Sequence, residues 1–290
     1  MSYANPRKTG KEQYYTNTDA VEICLDLIQK HLDIRNVKIL EPAGGTGQFI
    51  EGLLKRGVLK ENILSFDIEP KHELVQRKDY LQVNLNDEYV TIGNPPFGRK
   101  NSLSKKFFNH SANHSSMICF LVSKSWKKWS VIDSLDARFH LIDEIEMPKN
   151  CFHLPTGENS KEGLLQTVFQ IWQKKDFHRK LNTVIPSGLI KKITKKSGFP
   201  NDVNFEITIF GWGCGKTKRI TSTPEYNSTK MYLHVKDEET MELLESLDYS
   251  RFYKNVSTVW SLSIQEINFL LNEKLKLGKQ WQTKLNESLL

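Results

Sequence analysis

The chain has 290 residues, 38% hydrophobic and 26% charged, with a net charge of +7 from 41 Lys+Arg against 34 Asp+Glu. This is the composition of a water-compatible globular protein, and the length corresponds to roughly two domains. No apolar run approaches the ~18 residues of a membrane helix and residues 1–11 are polar and basic, so neither a spanning segment nor a secretory signal is expected.

In chain order, residues 19–32 have the spacing of an amphipathic helix. Val21, Leu25, Ile28 and Leu32 share one face, with Thr18 or Asp19 as the expected N-cap. Residues 37–40 read as a short buried strand ending at Glu41. A glycine-rich turn follows, Glu41-Pro42-Ala43-Gly44-Gly45-Thr46-Gly47-Gln48-Phe49, and helical spacing resumes over 47–56 until Gly57 closes it. Residues 63–66 form a second strand that ends at Asp67, and residues 89–93 a third that runs straight into Asn94. Further strands are expected at 117–122, 140–146 and 167–172, with a helix in 126–135. Alternation of this kind predicts a parallel, doubly wound, Rossmann-like α/β sheet covered on both faces, with ligands beyond the carboxyl ends of its strands. After about residue 175 the pattern changes. Residues 205–214 are strand-like and glycine-rich, and 265–276 look helical. The expected division is a catalytic domain over 1–178 and a smaller α+β domain over 179–290. Cys24, Cys119, Cys151 and Cys214 share no metal-ligand spacing, so no metal site or disulfide framework is expected, and a reducing, cytoplasmic setting fits.

Asn94-Pro95-Pro96-Phe97, about fifty residues after the glycine turn, carries the most chemistry. An exocyclic amine on an aromatic ring is a poor nucleophile because its lone pair is delocalised. Two acceptors set against its N–H bonds, the Asn94 side-chain carbonyl and the Pro95 backbone carbonyl, pull the nitrogen toward tetrahedral geometry. Pro95 and Pro96 hold φ near about −65° and bring no competing N–H. Phe97 offers a flat face for a planar base. Upstream, the glycine turn lets a cofactor approach the backbone at a helix N-terminus. It is no P-loop, because no Gly-Lys-Ser/Thr follows. Asp67 suits any ribose, so the turn and the acid alone leave a dinucleotide cofactor open; Asn-Pro-Pro-Phe, which a dehydrogenase does not need, breaks the tie.

In order and content these segments resemble the amino-group methyltransferases of nucleic acid, specifically the γ-type N6-adenine DNA methyltransferases, over roughly residues 8–175. The resemblance implies S-adenosylmethionine (AdoMet) as cofactor and Asn94, Pro95, Pro96 and Phe97 as the catalytic motif. Lys8-Thr9-Gly10-Lys11-Glu12-Gln13-Tyr14-Tyr15-Thr16 resembles the family's N-terminal cofactor motif, with Tyr15, Thr16 and Asn17 at the matching positions. Glu41, Pro42, Ala43, Gly44, Gly45, Gly47 and Phe49 match the methionyl-binding motif, with Glu in place of the usual Asp. Asp67 and Ile68 match the ribose motif. Asp79 and Tyr80 match the motif whose acid accepts from the adenine amine, and Asn94 adjoins the cofactor as well.

The charge distribution fits a polyanionic target. Seven basic and no acidic residues lie in 93–130, and ten basic against four acidic in 176–234. Arg99, Lys100, Lys127 and Lys128 follow the motif, and Gly211-Trp212-Gly213-Cys214-Gly215-Lys216-Thr217-Lys218-Arg219 reads either as a flexible basic loop that clamps DNA through Lys216, Lys218 and Arg219 or as a hairpin turn. Phe152 stands where the family often carries a second aromatic for the flipped base, although a core position accounts for it as well. The expected reaction is site-specific methylation of N6 on a flipped adenine in DNA. The alternatives are N6-adenine or N2-guanine methylation of RNA, methylation of a protein glutamine, and a catalytically silent nucleic-acid-binding subunit. A monomer or weak dimer is expected.

Overall fold

The computed structural model describes residues 15–149, 151–153, 166–182, 184–200, 202–257 and 259–287, with side chains described as far as 276. Residues 8–14 of the N-terminal motif therefore lie outside the described residues. Two compact units divide the chain, Met1–Leu181 and Asn182–Leu290. Among the described residues, no helix is long and apolar enough to cross a membrane.

In the first unit, β1 (Tyr15–Thr16) leads into α1 (Thr18–Gln29). Its N-cap is Asn17, one residue earlier than the sequence predicts, with the side chain accepting from Ala20 N at 2.9 Å. There follow β2 (Ile39–Glu41), α2 (Gln48–Lys55), β3 (Ile63–Asp67), β4 (Val75–Arg77), β5 (Tyr89–Gly93), α3 (Ser102–Ser111), β6 (Ser115–Ser123), α4 (Trp129–Ile132), β7 (Phe139–Glu146), β8 (Phe152–His153) and β9 (Thr167–Lys174). Seven strands form one sheet in the order β4-β3-β2-β5-β6-β9-β7. The doubly wound α/β expectation is met. One correction applies: β9 is inserted between β6 and β7 and runs antiparallel to both, because a reversing chain needs no long crossover to reach its neighbour.

β2, β5 and β6 are buried almost throughout, which explains their near-continuous apolar sequences. One face packs on α1 and α2 through Val21, Leu25, Ile28, Phe49 and Leu53; the other covers Phe108, Phe120, Trp126, Phe139 and Trp172. The helix expected over 126–135 shrinks to a 3-10 turn, Lys124–Lys127, and the four-residue α4. Trp126 is the cause: fully buried, its ring lies 5.7 Å from that of Phe108 and pins the chain against the sheet.

The second unit contains β10 (Ile190–Ile193), β11 (Phe205–Thr208), β12 (Thr217–Arg219) and β13 (Lys230–Val235), then α5 (Glu238–Glu245), α6 (Ser250–Tyr253) and α7 (Ile264–Glu287). The strands form an antiparallel sheet in the order β10-β13-β11-β12. Phe205, Ile207, Leu233, Leu244, Ile267 and Leu271 make its fully buried core. This unit is α+β, as expected.

Gly52 of α2 marks where the first helix layer closes up. A Cβ there would meet Leu25 Cδ1 and Val21 Cγ1 at 2.8 Å, and both neighbours are buried. Gly52→Leu should therefore destabilise the protein by about 1–3 kcal/mol through overpacking, despite the better helix propensity of leucine. Thermal unfolding checks this, and an unchanged Tm would contradict the tight packing of α1 on α2.

Candidate active site

The strand order defines where a ligand goes. From β2 the chain continues outward to β3 and β4 on one side, then returns to place β5 on the other. Two crossovers leaving in opposite directions open a crevice at the carboxyl ends of β2 and β5. Glu41 ends β2, Asp67 ends β3, and Asn94 follows β5, so three polar side chains share one edge of the sheet.

Glu41 is only 2% exposed, and its sole hydrogen-bond partner among the described residues is the Ser65 hydroxyl, which donates to Oε2 at 3.5 Å. No cation pairs with it among those residues. Burial, with the Asp67 carboxylate nearby, pushes the Glu41 carboxyl well above the usual carboxylate range. A buried acid without a counter-charge is stable only if it keeps its proton or meets a cation.

Asp67 organises the turn that the sequence assigns to the cofactor. Gly45 N–H donates to its Oδ2 at 2.9 Å and Glu69 N–H to its Oδ1 at 2.8 Å. Each carboxylate oxygen has a second lone-pair site, so ribose hydroxyls remain compatible with this role. Gly45 has φ +50° and faces the Tyr15 ring; Gly47 has φ +78° and lies under the His72 imidazole. His72, which the sequence reading did not single out, is held by a hydrogen bond to Glu51 at 2.9 Å. Gly44 is required for packing, since a Cβ would stand 2.3 Å from Ser65 Oγ. Pro42 is buried and Ala43 partly so, packed beside Leu40 and Phe66. Beside Asp67, Ile68 leaves 59% of its surface exposed, an apolar face at the crevice edge.

Two cofactor assignments change. Phe49 is 2% exposed and belongs to the core between α2 and the sheet. Tyr80 is 1% exposed, with its hydroxyl bonded to Ser111 Oγ at 2.8 Å and His114 Nε2 at 2.7 Å, so its side chain is structural. Asp79, by contrast, is exposed and caps the following 3-10 turn by accepting from Leu81 N at 3.0 Å.

Asn94 Nδ2 donates to Thr16 Oγ1 at 3.2 Å, which orients the carboxamide. β1 is itself paired with β8, Thr16 opposite Phe152 and Tyr15 opposite His153. This pairing brings the N-terminal motif, Asn94 and Phe152 together. Pro95 is buried and Pro96 partly exposed. Phe97 and Phe152 are 7% and 5% exposed and meet edge to face, centroids 6.3 Å apart. Phe152 is thus a core residue in this conformation.

The segment after Phe97 is conformationally demanding. Lys100 and Asn101 are left-handed at φ 54° and 59°, and Gly98 has φ 69° with Leu103 where a Cβ would fall. Asn101 Nδ2 donates to Ser125 Oγ at 2.8 Å and Trp126 Nε1 to Ser104 Oγ at 3.2 Å, bracing the loop against the end of β6. No sequence motif marked these braces.

Among the predicted nucleic-acid contacts, Arg99 and Lys100 are exposed and Lys128 is half-buried at the start of α4. Lys127 is a correction: its Nζ pairs with Glu144 at 2.8 Å and Glu146 at 3.4 Å. Arg219 is another, forked onto Glu245 at 2.8 Å and paired with Glu238. Lys216 and Lys218 remain exposed, but Lys218 and Arg219 lie on strand β12 rather than in a flexible loop.

No family model matches the sequence. The chain is 30% identical over 103 residues to each of two Haemophilus influenzae proteins, the type II methyltransferases M.HincII and M.HindII. The match covers 34% of this chain and 20% and 19% of those proteins, so the chain spans about a fifth of the curated relatives it matches. Among solved structures, a candidate RNA methyltransferase of Pyrococcus horikoshii is similar at 18% identity and TM-score 0.44, covering 60% of this chain and 93% of that one. Magnesium protoporphyrin IX methyltransferase of Synechocystis PCC 6803, solved with bound SAM, is similar at 11% identity and TM-score 0.41, covering 55% and 79%.

Glu41 gives a test that needs no substrate. The folded protein holds the Glu41 proton more tightly than the unfolded chain does, so the unliganded protein should lose stability as pH rises from the ordinary carboxyl range to the raised folded value. Glu41→Gln should remove that slope and stabilise the unliganded protein near pH 7 by on the order of 1 kcal/mol, a few degrees in Tm. Calorimetry from about pH 5 to 8 checks it; a less stable Gln variant would mean that Glu41 is charge-compensated.

Proposed function

We propose that this chain is an AdoMet-dependent methyltransferase that methylates N6 of an adenine flipped out of DNA at a specific site. The observation that carries the proposal is the placement of Glu41, Asp67 and Asn94 at the carboxyl ends of adjacent strands around the switch point. The likeness to proteins named type II methyltransferases supports methyl transfer as the reaction.

The residues fit the cofactor. Glu41 receives the methionyl ammonium, for which its buried, unpaired carboxylate is suited. Asp67 accepts from the ribose hydroxyls while holding Gly45, Ile68 packs an apolar edge on the adenine, and Asp79 accepts from the adenine amine. Tyr15, Thr16 and the backbone of the glycine turn line the methionyl end. When bound, AdoMet supplies a methyl group on a sulfonium sulfur as the electrophile.

The chain's part in the reaction is to aim a weak nucleophile. Asn94 Oδ1 and the Pro95 carbonyl accept the two N–H bonds of the acceptor amine, which localises its lone pair toward the methyl group. With the methyl–sulfur bond exchanged for a methyl–nitrogen bond, one proton of the amine would leave to solvent. Thr16 holds the Asn94 carboxamide in the orientation this requires. Phe97 stacks on the base, and because its ring is packed on Phe152, acceptor binding includes a local rearrangement that uncovers it. Arg99, Lys100, Lys105 and Lys106, which have no carboxylate at ion-pair distance among the described residues, supply phosphate contacts. In the second unit, Lys216 and Lys218 contribute further contacts.

Tritiated-methyl incorporation into duplex DNA, single-stranded DNA, RNA and protein tests the reaction and its target together. The expected result is label in adenine of duplex DNA; label confined to RNA or protein would overturn the substrate. Asn94→Ala should lower turnover by about 10²–10³ while AdoMet affinity, read by calorimetry, stays close to that of the parent. Asp67→Ala should instead weaken AdoMet binding by roughly 1–3 kcal/mol without changing DNA affinity.

A further inference from the structure

Trp212 is 91% exposed, the most exposed large hydrophobic side chain among the described residues. A tryptophan carries about 150–250 Å² of burial potential, and leaving that area in water contributes nothing to the fold. Neither is it incidental to a floppy loop. Cys214 N–H donates to Gly211 O at 2.9 Å, Gly215 N–H to Thr208 O at 2.8 Å, and Gly211 N–H to Trp260 O at 3.0 Å. Gly211 and Gly215 have φ +82° and +90°, which a tight turn requires and other residues resist. The tip is therefore a rigid turn between β11 and β12, tied to the strand-like bridge between Phe210 and Ser261.

Behind Trp212 stands a row of aromatic rings. The Trp212 and Trp260 centroids are 5.2 Å apart, and those of Trp260 and Tyr253 4.9 Å apart. Cations flank the row. Lys216 Cδ lies 3.7 Å from where a Cβ on Gly213 would sit, and Lys254 Nζ is 5.9 Å from the Tyr253 centroid. Residues 210–219 contain no acidic side chain. A rigid aromatic face beside Lys216, which has no carboxylate at ion-pair distance among the described residues, matches a planar base attached to a phosphate backbone; an apolar protein helix would need no such charge.

We propose that Trp212, backed by Trp260, is a stacking platform for an unstacked nucleobase of the bound nucleic acid, with Lys216 on an adjoining phosphate. The inference rests on the nucleic-acid reading of the chain given above. It assigns the contact in this turn to an aromatic ring, where the sequence had pointed to its lysines and to Arg219.

The test uses the full chain, fluorescence anisotropy with labelled duplex and single-stranded DNA and RNA, and calorimetric AdoMet titration of every variant. Trp212→Ala should weaken nucleic-acid binding about 5- to 150-fold with an unchanged salt slope, since stacking releases no counterions. Trp212→Phe should recover most of the loss. Lys216→Ala should instead reduce the salt slope by about one phosphate contact. All variants should bind AdoMet like the parent. If the parent binds nucleic acid and Trp212→Ala binds equally well, the platform is refuted while the methyltransferase reading stands. If the parent binds no nucleic acid of any kind, the underlying reading falls first. Parent binding to anionic lipid vesicles that Trp212→Ala abolishes, with nucleic-acid affinity unchanged, would assign the tip to a membrane surface and overturn the proposal.

Discussion

Everything at the candidate site depends on one topological constraint, the reversal of strand order in the sheet between the parallel neighbours β2 and β5. Parallel strands must be joined by crossovers, and crossovers that depart to opposite sides cannot cover the carboxyl ends of the two strands where they part. The gap left there is imposed by chain connectivity rather than by any side chain. Glu41 and Asn94 border it because each directly ends or follows one of those strands. The glycine turn after Glu41 and the diproline after Asn94 then steer the chain away without filling the gap.

Within that gap the protein accepts a local energetic disadvantage. A carboxylate as buried as Glu41, with only a serine hydroxyl for company, opposes folding unless it keeps its proton or meets a cation. Asp67 is arranged differently: two backbone N–H groups hold its oxygens, so its charge is already supported. The two acids thus divide the work, one shaping the turn and one left unsatisfied. Sites that bind a charged ligand commonly show this asymmetry, because interactions completed in the empty protein cannot be completed again by the ligand.

Much of the sheet was legible in the sequence because its strands are short apolar runs ended by a polar residue at the site. α1, β2, β5, β6 and β9 lie where periodicity and composition placed them. α3 escaped notice because Ser102–Ser111 is largely Ser, Lys, Asn and His, and Phe107 and Phe108 are its only buried apolar residues. The fate of individual charges was also illegible. Lys127 meets Glu144 and Glu146, and Arg219 meets Glu238 and Glu245, across 17 to 26 residues of chain that only the folded sheet brings together. A run of basic residues shows the sign of a surface, but not which of its charges the protein has already neutralised. Phe97 and Tyr80 teach the same lesson for aromatic rings, whose burial is set by tertiary neighbours rather than by motif membership.

The segment after Phe97 bears on how such a site can be moved or rebuilt. Two consecutive non-glycine residues in the left-handed region are each unfavourable, and they persist here because Gly98, Asn101 and Ser125 leave the chain no easier path. Thr16 supports the same stretch from the other side through Asn94. The tetrapeptide is therefore the visible part of a larger mechanical unit, built from residues more than a hundred positions apart in the chain. Grafting Asn-Pro-Pro-Phe alone into another α/β scaffold would carry over four side chains without the frame that orients them, and an unbraced copy would relax into an ordinary turn.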